Sequence, residues 1–281
     1  MNLILKELFT NIKFIVWLFI LVFLLIYAFI YPQSFSVNPA RWFQVPRALP
    51  PSSDFPFGTT LLGQDVFKLT PLALSNTLLI SFIAGAIGVL IALVLGFIAS
   101  FASRIINTIT SIFIDIMCMI PGAPILMIIL YAWRDKLTMP MIGLIFGAIG
   151  WTFSARIYKG LFEGLKTRLY IATSQYSGLG LLHIMVKDVM PYVIRFLMVN
   201  FIDITIWAIG NEVTISVFGA MKMDEVTIGT TIHWALQYQA LHLGIWWWIV
   251  FPVLVLIITV TSIYNVTITI DNIVFVRRTK I

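Results

Sequence analysis

Charge is scarce in this sequence of 281 residues. Only 11% of the residues are Asp, Glu, Lys or Arg, and 60% are apolar. An ordinary soluble domain has about 25% charged and about 45–50% apolar residues. The composition therefore excludes an ordinary soluble protein, and it also excludes disordered, collagen-like and coiled-coil chains. The apolar residues fall in long runs, which is typical of a chain that lies in lipid.

Residues for covalent and metal chemistry are also sparse. Cys118 is the single cysteine, so we expect neither a disulfide framework nor a cysteine-based metal site. His183, His233 and His242 are far apart and form no metal-binding pattern. Gly178-Leu179-Gly180 lacks the spacing and the lysine of a phosphate-binding loop. We predict a non-catalytic chain with no metal, no cofactor and no face for nucleic acid.

Six apolar runs predict an all-α membrane protein with six transmembrane helices. The first run lacks a small-residue cleavage site, which favours an uncleaved span preceding an extramembrane segment. The predicted divisions are residues 1–32, 33–70 and 71–281. The predicted spans are Phe14–Tyr31, Leu78–Phe101, Ile105–Trp133, Met139–Ser154, Phe196–Met221 and Leu243–Ile270.

The basic residues predict the orientation of these spans. An even number of spans puts both termini on one side, and cytoplasmic loops carry an excess of Lys and Arg. Twelve of the 18 basic residues lie on the side of the termini: Lys6, Lys13, Arg104, Arg156, Lys159, Lys166, Arg168, Lys187, Arg195, Arg277, Arg278 and Lys280. We therefore expect both termini and the loop of residues 156–195 to be cytoplasmic, with Pro32–Lys68 outside. Trp246-Trp247-Trp248 would then form part of the outer aromatic belt.

Three acids, Asp115, Asp203 and Glu212, lie inside runs that otherwise belong in the membrane. A carboxylate at that depth is costly, so each should face the bundle interior, a water-filled path or a partner. Each acid is a candidate for a solute or proton pathway, or else a structural acid that bonds to backbone. Asp203 and Glu212 are nine residues apart, about 180° around a helix. Only a helix break near Gly210-Asn211 would let both face one cavity.

The cytoplasmic loop contains a stretch of small and polar residues, Ala172–Gly178, followed by spaced apolar residues that end before Pro191. This pattern predicts a short helix, a glycine turn and a second helix that leads into the fifth span. Small residues on an exposed helix allow another backbone to approach closely, which indicates a docking site. The alternative is an ordinary amphipathic helix at the membrane interface.

Several segments match family motifs in order along the chain. They are Phe57–Val66 (similar to LGTDxLGRDV, with Gln64 for Arg), Asp115 with Pro121 (DxxxxxP), Ala172–Gly178 with Met190-Pro191 (EAAxxxG and LP), Glu212–Gly219 (EASLSFLG), and Phe251-Pro252 with Asn265. The chain thus resembles the second permease of the oligopeptide/dipeptide ABC importers, which depend on a binding protein. It departs from the EAA signature at Ala172, where the family has Glu.

This resemblance implies a type I ABC importer permease fold and a multi-pass protein of the cell membrane. It implies that the chain forms half of a pathway for peptides, or for a related solute such as an oligosaccharide or nickel. The implied partners are a homologous permease subunit in a heterodimer, two ATP-binding subunits that hydrolyse ATP, and an extracellular solute-binding protein. The residues implied for coupling to the ATPase are Ala172, Thr173, Ser174, Gly178, Leu182, Lys187 and Pro191.

A second class of function stays open from the sequence. An ion-coupled secondary transporter or channel would also be helical and membranous, and it would use Asp203 and Glu212 as intramembrane acids. An intramembrane enzyme is a third class, but the sequence has no evident nucleophile or metal set for it.

Overall fold

The computed structural model describes residues 8–275 and the side chains of all of these except Gln175, Arg195, Val274 and Phe275. Lys6, Arg277, Arg278 and Lys280 of the charge argument lie outside this range. The helices are α1 Ile12–Phe29, α2 Val66–Phe101, α3 Arg104–Met119, α4 Gly122–Trp133, α5 Met139–Gly150, α6 Thr152–Lys166, α7 Leu169–Tyr176, α8 Leu181–His183, α9 Met190–Val217, α10 Ile228–Gln237 and α11 Trp247–Phe275. Between residues 8 and 275 there is no strand, only an isolated bridge from Thr59 to Asp65. The all-α prediction is confirmed for this range.

Four helical stretches are long and apolar enough to cross a bilayer: Ile12–Ser34, Val66–Phe101, Phe196–Val217 and Trp247–Ile273. Two further pairs pass the same criterion only together, because each is bent at a short break. The bend is 79° between α3 and α4 and 47° between α5 and α6. Over the described residues the count is therefore four, or up to six if each bent pair is one span. Six spans stay a prediction.

The bend between α3 and α4 has a local cause in the sequence. Ile120 is extended (φ −80°, ψ 122°), as the residue before a proline prefers, because Pro121 disfavours the helical conformation there. The predicted span Ile105–Trp133 is thus divided at Pro121 into two helices. The helix break near Gly210-Asn211 that would let Asp203 and Glu212 face one cavity is absent, since α9 runs unbroken from Met190 to Val217.

Contacts divide the chain into two compact units. Among the described residues, the first unit contains the chain up to Ile80, Met127–Met139 and the chain from Ile209 onward. The second unit contains Ser81–Leu126 and Pro140–Ala208. Each unit has its own apolar core.

In the first unit, residues 35–65 form an irregular segment that covers the start of α11. Phe57 stacks on Phe251 with ring centroids 4.3 Å apart, and the Trp247 indole N–H donates to the Thr59 carbonyl at 3.1 Å. Trp247 and Trp248 are therefore buried, with 8% and 1% of their surface exposed. The aromatic-belt prediction is therefore wrong for Trp247 and Trp248, which pack inside the protein, whereas Trp246 has 47% of its surface exposed.

In the second unit, an aromatic cluster joins α2 to α6. Phe97 and Phe101 stack with centroids 4.7 Å apart, and Phe162 packs edge-on to Phe97 at 5.8 Å. The end of α2 is also tied by hydrogen bonds, since the Ser100 hydroxyl donates to the Lys159 carbonyl and the Lys166 ammonium donates to the Ser100 carbonyl. This core supports the segment that follows α6.

Candidate functional site

The segment Leu169–Val189 contains most of the residues that the sequence assigns to coupling. It consists of α7, a glycine turn, α8 and a π-helical turn at Ile184–Val189 that continues directly into α9. The predicted order of short helix, glycine turn and second helix is thus observed. We name Leu169–Val189 the coupling segment.

Gly178 ends α7 in the left-handed region, with φ +72°. The N–H of Leu179 donates to the carbonyl of Ser174 at 3.2 Å, which is the closing bond of a Schellman cap. A non-glycine residue in this conformation brings its Cβ too close to the backbone. The surroundings are open, because a Cβ on Gly178 would meet no atom within 4 Å. The glycine is therefore required by backbone conformation and not by space.

The coupling segment has one anchored face and one free face. Ile171, Ile184 and Val189 are buried in the aromatic core of the second unit. Tyr176 and Leu182 are large apolar side chains with 92% and 75% of their surface exposed. An anchored element with exposed apolar side chains is suited to receive a partner protein.

The remaining predicted coupling residues are spread over the same segment. Thr173, Gly178, Lys187 and Pro191 are exposed, and Ala172 and Ser174 are half-buried. Pro191 lies in the first turn of α9 and has no N–H for the Lys187 carbonyl, which fits the irregular π-helical turn that precedes it.

A tyrosine pair holds α7 against the start of α9. The rings of Tyr170 and Tyr192 stack with centroids 5.4 Å apart. Desolvation, together with the hydrogen bond to Tyr192, raises the pKa of Tyr170 to about 12. The phenol thus stays protonated and neutral at physiological pH.

Asp115, on α3, forms an ion pair with Arg156 on α6. The Arg156 Nη2 atom lies 2.7 Å from the Asp115 Oδ1 atom, and both side chains are about half exposed. The pair connects α3, which precedes the first bend, to α6, which follows the second bend. Asp115 therefore has its charge neutralised within the second unit.

Asp203 lies in a cavity of the second unit with a volume of about 300 Å³. The cavity lies at both bends, since Ile120 and Gly122 line it at one bend and Gly150 and Thr152 at the other. Non-helical backbone at membrane depth is tolerated only where protein buries it or where it lines a water-filled cavity. The cavity therefore explains how non-helical backbone is tolerated at the two breaks.

Glu212 lies in a closed polar cluster of the first unit. It is fully buried and accepts hydrogen bonds from the hydroxyls of Thr77 (3.0 Å), Ser216 (2.9 Å) and Thr227. Thr227 is the N-cap of α10, and the Ile228 N–H donates to the Thr77 hydroxyl. The carboxylate therefore joins α2, α9 and the start of α10.

Known transport proteins are similar to this chain over more than half of its length. The chain is 31% identical over 177 residues to the dipeptide transport system permease protein of Bacillus subtilis, covering 62% of this chain and 54% of the relative. It is 24% identical over 184 residues to the oligopeptide transport system permease protein of Mycobacterium bovis, covering 65% of this chain and 63% of that relative. The chain is thus similar in sequence to dipeptide and oligopeptide transport system permease proteins. The predicted resemblance is confirmed.

The match to these permease proteins is partial. An oligopeptide transport system permease protein of Bacillus subtilis is 26% identical over 170 residues, covering 60% of this chain and 55% of that relative. The chain thus spans between about half and two thirds of the length of the permease relatives. No family model matches the chain.

Several residues around the predicted acids of this chain were missed from the sequence. Arg156 entered the sequence analysis only as a basic residue that predicts orientation, yet it is the partner of Asp115. Thr77, Ser216 and Thr227 surround Glu212. Of these three, only Ser216 could have been predicted from the sequence, because it follows Glu212 by one helical turn. Thr77 and Thr227 are distant from Glu212 in the sequence.

Metal-ligating side chains do not cluster in the described part of the chain. No group of three or more His, Cys, Asp or Glu side chains lies together between residues 8 and 275. Cys118 is partly buried beside the aromatic core of the second unit and has a free thiol. It packs as a small apolar residue.

Proposed function

We propose that this chain is the permease subunit of an ABC importer and forms half of a transmembrane pathway for peptides. A homologous permease subunit supplies the other half, two ATP-binding subunits hydrolyse the ATP, and an extracellular solute-binding protein delivers the peptide. The observation that carries this proposal is the coupling segment, an anchored helical pair with an exposed apolar face, in a chain similar in sequence to peptide permease proteins.

The coupling segment is the contact for an ATP-binding subunit. Tyr176 and Leu182 enter a groove of that subunit, and the buried residues Ile171, Ile184 and Val189 connect the contact to the core. Closure of the ATP-binding subunits pushes on the segment. Because the segment is packed on one side, the push moves the helices and does not merely bend the loop.

Helix α9 transmits this movement toward the cavity. It continues from the π-helical turn without a break, and it carries Asn200, Asp203 and Trp207 into the cavity lining. From Met190 to Asp203 an α-helix rises about 20 Å. A rigid helix of that length connects the cytoplasmic contact to the middle of the membrane and supports alternating access.

The three acids take different roles in this proposal. Asp203 lines the pathway. Asp115 holds α3 to α6 through Arg156 beside that cavity. Glu212 is structural, because its two carboxylate oxygens are occupied by three hydroxyl donors in a buried cluster.

The orientation follows the position of the coupling segment. With this segment on the ATP side, the positive-inside rule agrees, since Lys159, Lys166, Arg168 and Lys187 lie in or near it. Both termini are then cytoplasmic, and the segment of residues 35–65 faces the binding protein or the partner permease.

An ion-coupled transporter that uses Asp203 and Glu212 together is less well supported. That mechanism needs a break in α9 to bring both acids to one cavity, and α9 is continuous. Glu212 also has no open space beside it to exchange an ion, since it is fully buried.

ATP-dependent uptake in liposomes tests the proposal. The chain is purified with its partner permease, the ATP-binding subunits and the binding protein, and it is reconstituted with a radiolabelled tripeptide outside. We expect uptake that requires ATP and the binding protein. Uptake by this chain alone, driven by a pH gradient, would refute the proposal and support the ion-coupled alternative.

A further inference from the structure

The cavity of the second unit holds one carboxylate whose charge is not neutralised by its neighbours. No described side chain forms a hydrogen bond or ion pair with Asp203, and none of the lining residues is basic. Asp115, the other acid of this unit that lies in a predicted span, already has Arg156 at 2.7 Å. Of the two acids that lie in predicted spans of this unit, Asp203 is therefore the one that needs a counter-charge from elsewhere.

The lining of the cavity suits one charged group on an otherwise apolar ligand. Asn200, Asp203 and Trp207 follow one another at spacings of three and four residues, so they share one face of α9. Thr152 and Ser154 add hydroxyls from α6, and the rest of the lining is mostly apolar. Aromatic rings such as those of Trp207 and Phe153 attract cations through their faces.

The helix dipoles at the two bends do not change the negative charge of the cavity. Each bend brings the end of one helix and the start of the next to the cavity. Helix starts are partly positive and helix ends partly negative, so these dipoles oppose each other at each bend. The formal charge of Asp203 decides which ligands the cavity favours.

We propose that this cavity binds a primary ammonium group of the solute, with Asp203 as its counter-ion. The proposal rests on the proposed function and specifies the solute class: the free amino end of a peptide, or a basic side chain near it. A cavity of about 300 Å³ is at the small end of ligand pockets. The cavity therefore accommodates one end of a peptide and not the whole peptide.

Two other solutes fit this cavity less well. A divalent metal ion such as nickel requires several donor side chains, and no group of three or more His, Cys, Asp or Glu is found in the described residues. A neutral oligosaccharide supplies hydroxyl donors to a carboxylate but no positive charge. An unpaired carboxylate among apolar walls gains most from a cationic partner.

Thiol labelling of the assembled complex tests this proposal without depending on the binding protein. Cys118→Ala removes the single cysteine, and Ile157→Cys introduces a thiol at an exposed position of the cavity lining. The rates of reaction with aminoethyl methanethiosulfonate, a primary ammonium, and with the anionic sulfonatoethyl reagent are compared. Their ratio measures the preference of the cavity for a cation.

We expect Asp203→Asn to lower the cation-to-anion ratio by about tenfold, the order of a hydrogen bond to a charged group. Asp203→Glu should keep the ratio. Asp135→Asn, a matched change at a side chain with 90% of its surface exposed, should leave it unchanged. A tripeptide with a free amino end should slow labelling more than its N-acetylated form.

Two results would overturn the ammonium site. One is an unchanged ratio in Asp203→Asn, and the other is no reaction of either reagent at Ile157→Cys. A failure of the proposed function would give a different result. The complex would then import no tripeptide with ATP, even if the cation-to-anion labelling ratio fell in Asp203→Asn. Import with an unchanged ratio would refute the ammonium site alone.

Discussion

The Arg156 guanidinium lies 2.7 Å from the Asp115 carboxylate and joins α6 to α3. The two residues are 41 positions apart in the sequence. Asp115 precedes the bend between α3 and α4, Arg156 follows the bend between α5 and α6, and both bends border the Asp203 cavity. The pair thus adds a contact between the two bent helix pairs beside that cavity. It also removes Asp115 from the charges available to a solute.

The contribution of this pair can be measured by a double-mutant cycle. We expect Asp115→Asn and Arg156→Gln each to lower the free energy of unfolding, and the double variant to lose less than the sum. Because both side chains are half exposed, the coupling should be about 1 kcal/mol. Strict additivity in SDS–detergent unfolding would contradict the pairing.

The glycine turn of the coupling segment offers a matched pair of substitutions. Gly178→Ala places a Cβ at φ +72°, which costs about 1 kcal/mol for an L-residue. Gly180→Ala changes a glycine at φ −66° in the same turn and should be tolerated. Neither added Cβ meets another atom within 4 Å.

We expect Gly178→Ala to reduce ATP-dependent peptide uptake by about fivefold, with membrane insertion and complex yield unchanged. Gly180→Ala should retain uptake. Equal uptake by the two variants would show that the left-handed turn does not matter for coupling.

The Glu212 cluster predicts a stability effect. Glu212→Ala leaves three buried hydroxyl donors without their acceptor and should lower the free energy of unfolding by about 3 kcal/mol. Thr77→Val removes one donor to Glu212 and also the acceptor of the Ile228 N–H, and it should cost about 2 kcal/mol. Thr214→Val is the control, because the Thr214 hydroxyl is exposed and bonds only within its own helix. A Thr77→Val loss no larger than that of Thr214→Val would contradict the structural role.

A fourth prediction concerns the segment of residues 35–65. A Cβ on Gly58 (φ +69°) would lie 2.6 Å from the Trp247 Nε1 atom and 2.7 Å from the Leu49 carbonyl oxygen. Gly244 has a similar φ of +76° but open space around it. Gly58→Ala should therefore lower Tm by several degrees more than Gly244→Ala in a thermal scan. Equal decreases in Tm for the two variants would mean that the close contacts of Gly58 with Trp247 and Leu49 do not limit the residue at this position.

The sequence was sufficient for the elements whose cause is local. The helix–glycine–helix order of the coupling segment follows from small residues, Gly178 and Pro191, and the interruption at Pro121 follows from the conformational restriction before proline. Both are properties of a few neighbouring residues. The apolar runs likewise marked the long helices, although α2 begins at Val66, well before the predicted Leu78.

Long-range contacts could not be read from the sequence. The burial of Trp247 depends on a hydrogen bond to Thr59, 188 residues away in the chain. The role of Glu212 depends on Thr77, 135 residues away. Gly210 looked like a break, but a glycine within a helix only weakens it by about 1 kcal/mol, which the packing of α9 overcomes.

The most direct test of the account is a photo-crosslink from the coupling segment. Benzoylphenylalanine replaces Leu182, which has 75% of its side chain exposed, and in a second variant it replaces Phe43, which has 62% exposed in the segment of residues 35–65. The account predicts an adduct with an ATP-binding subunit from position 182 and none from position 43. An ATP-hydrolysing complex in which the ATP-binding subunit is captured only from position 43, or from neither position, would contradict it.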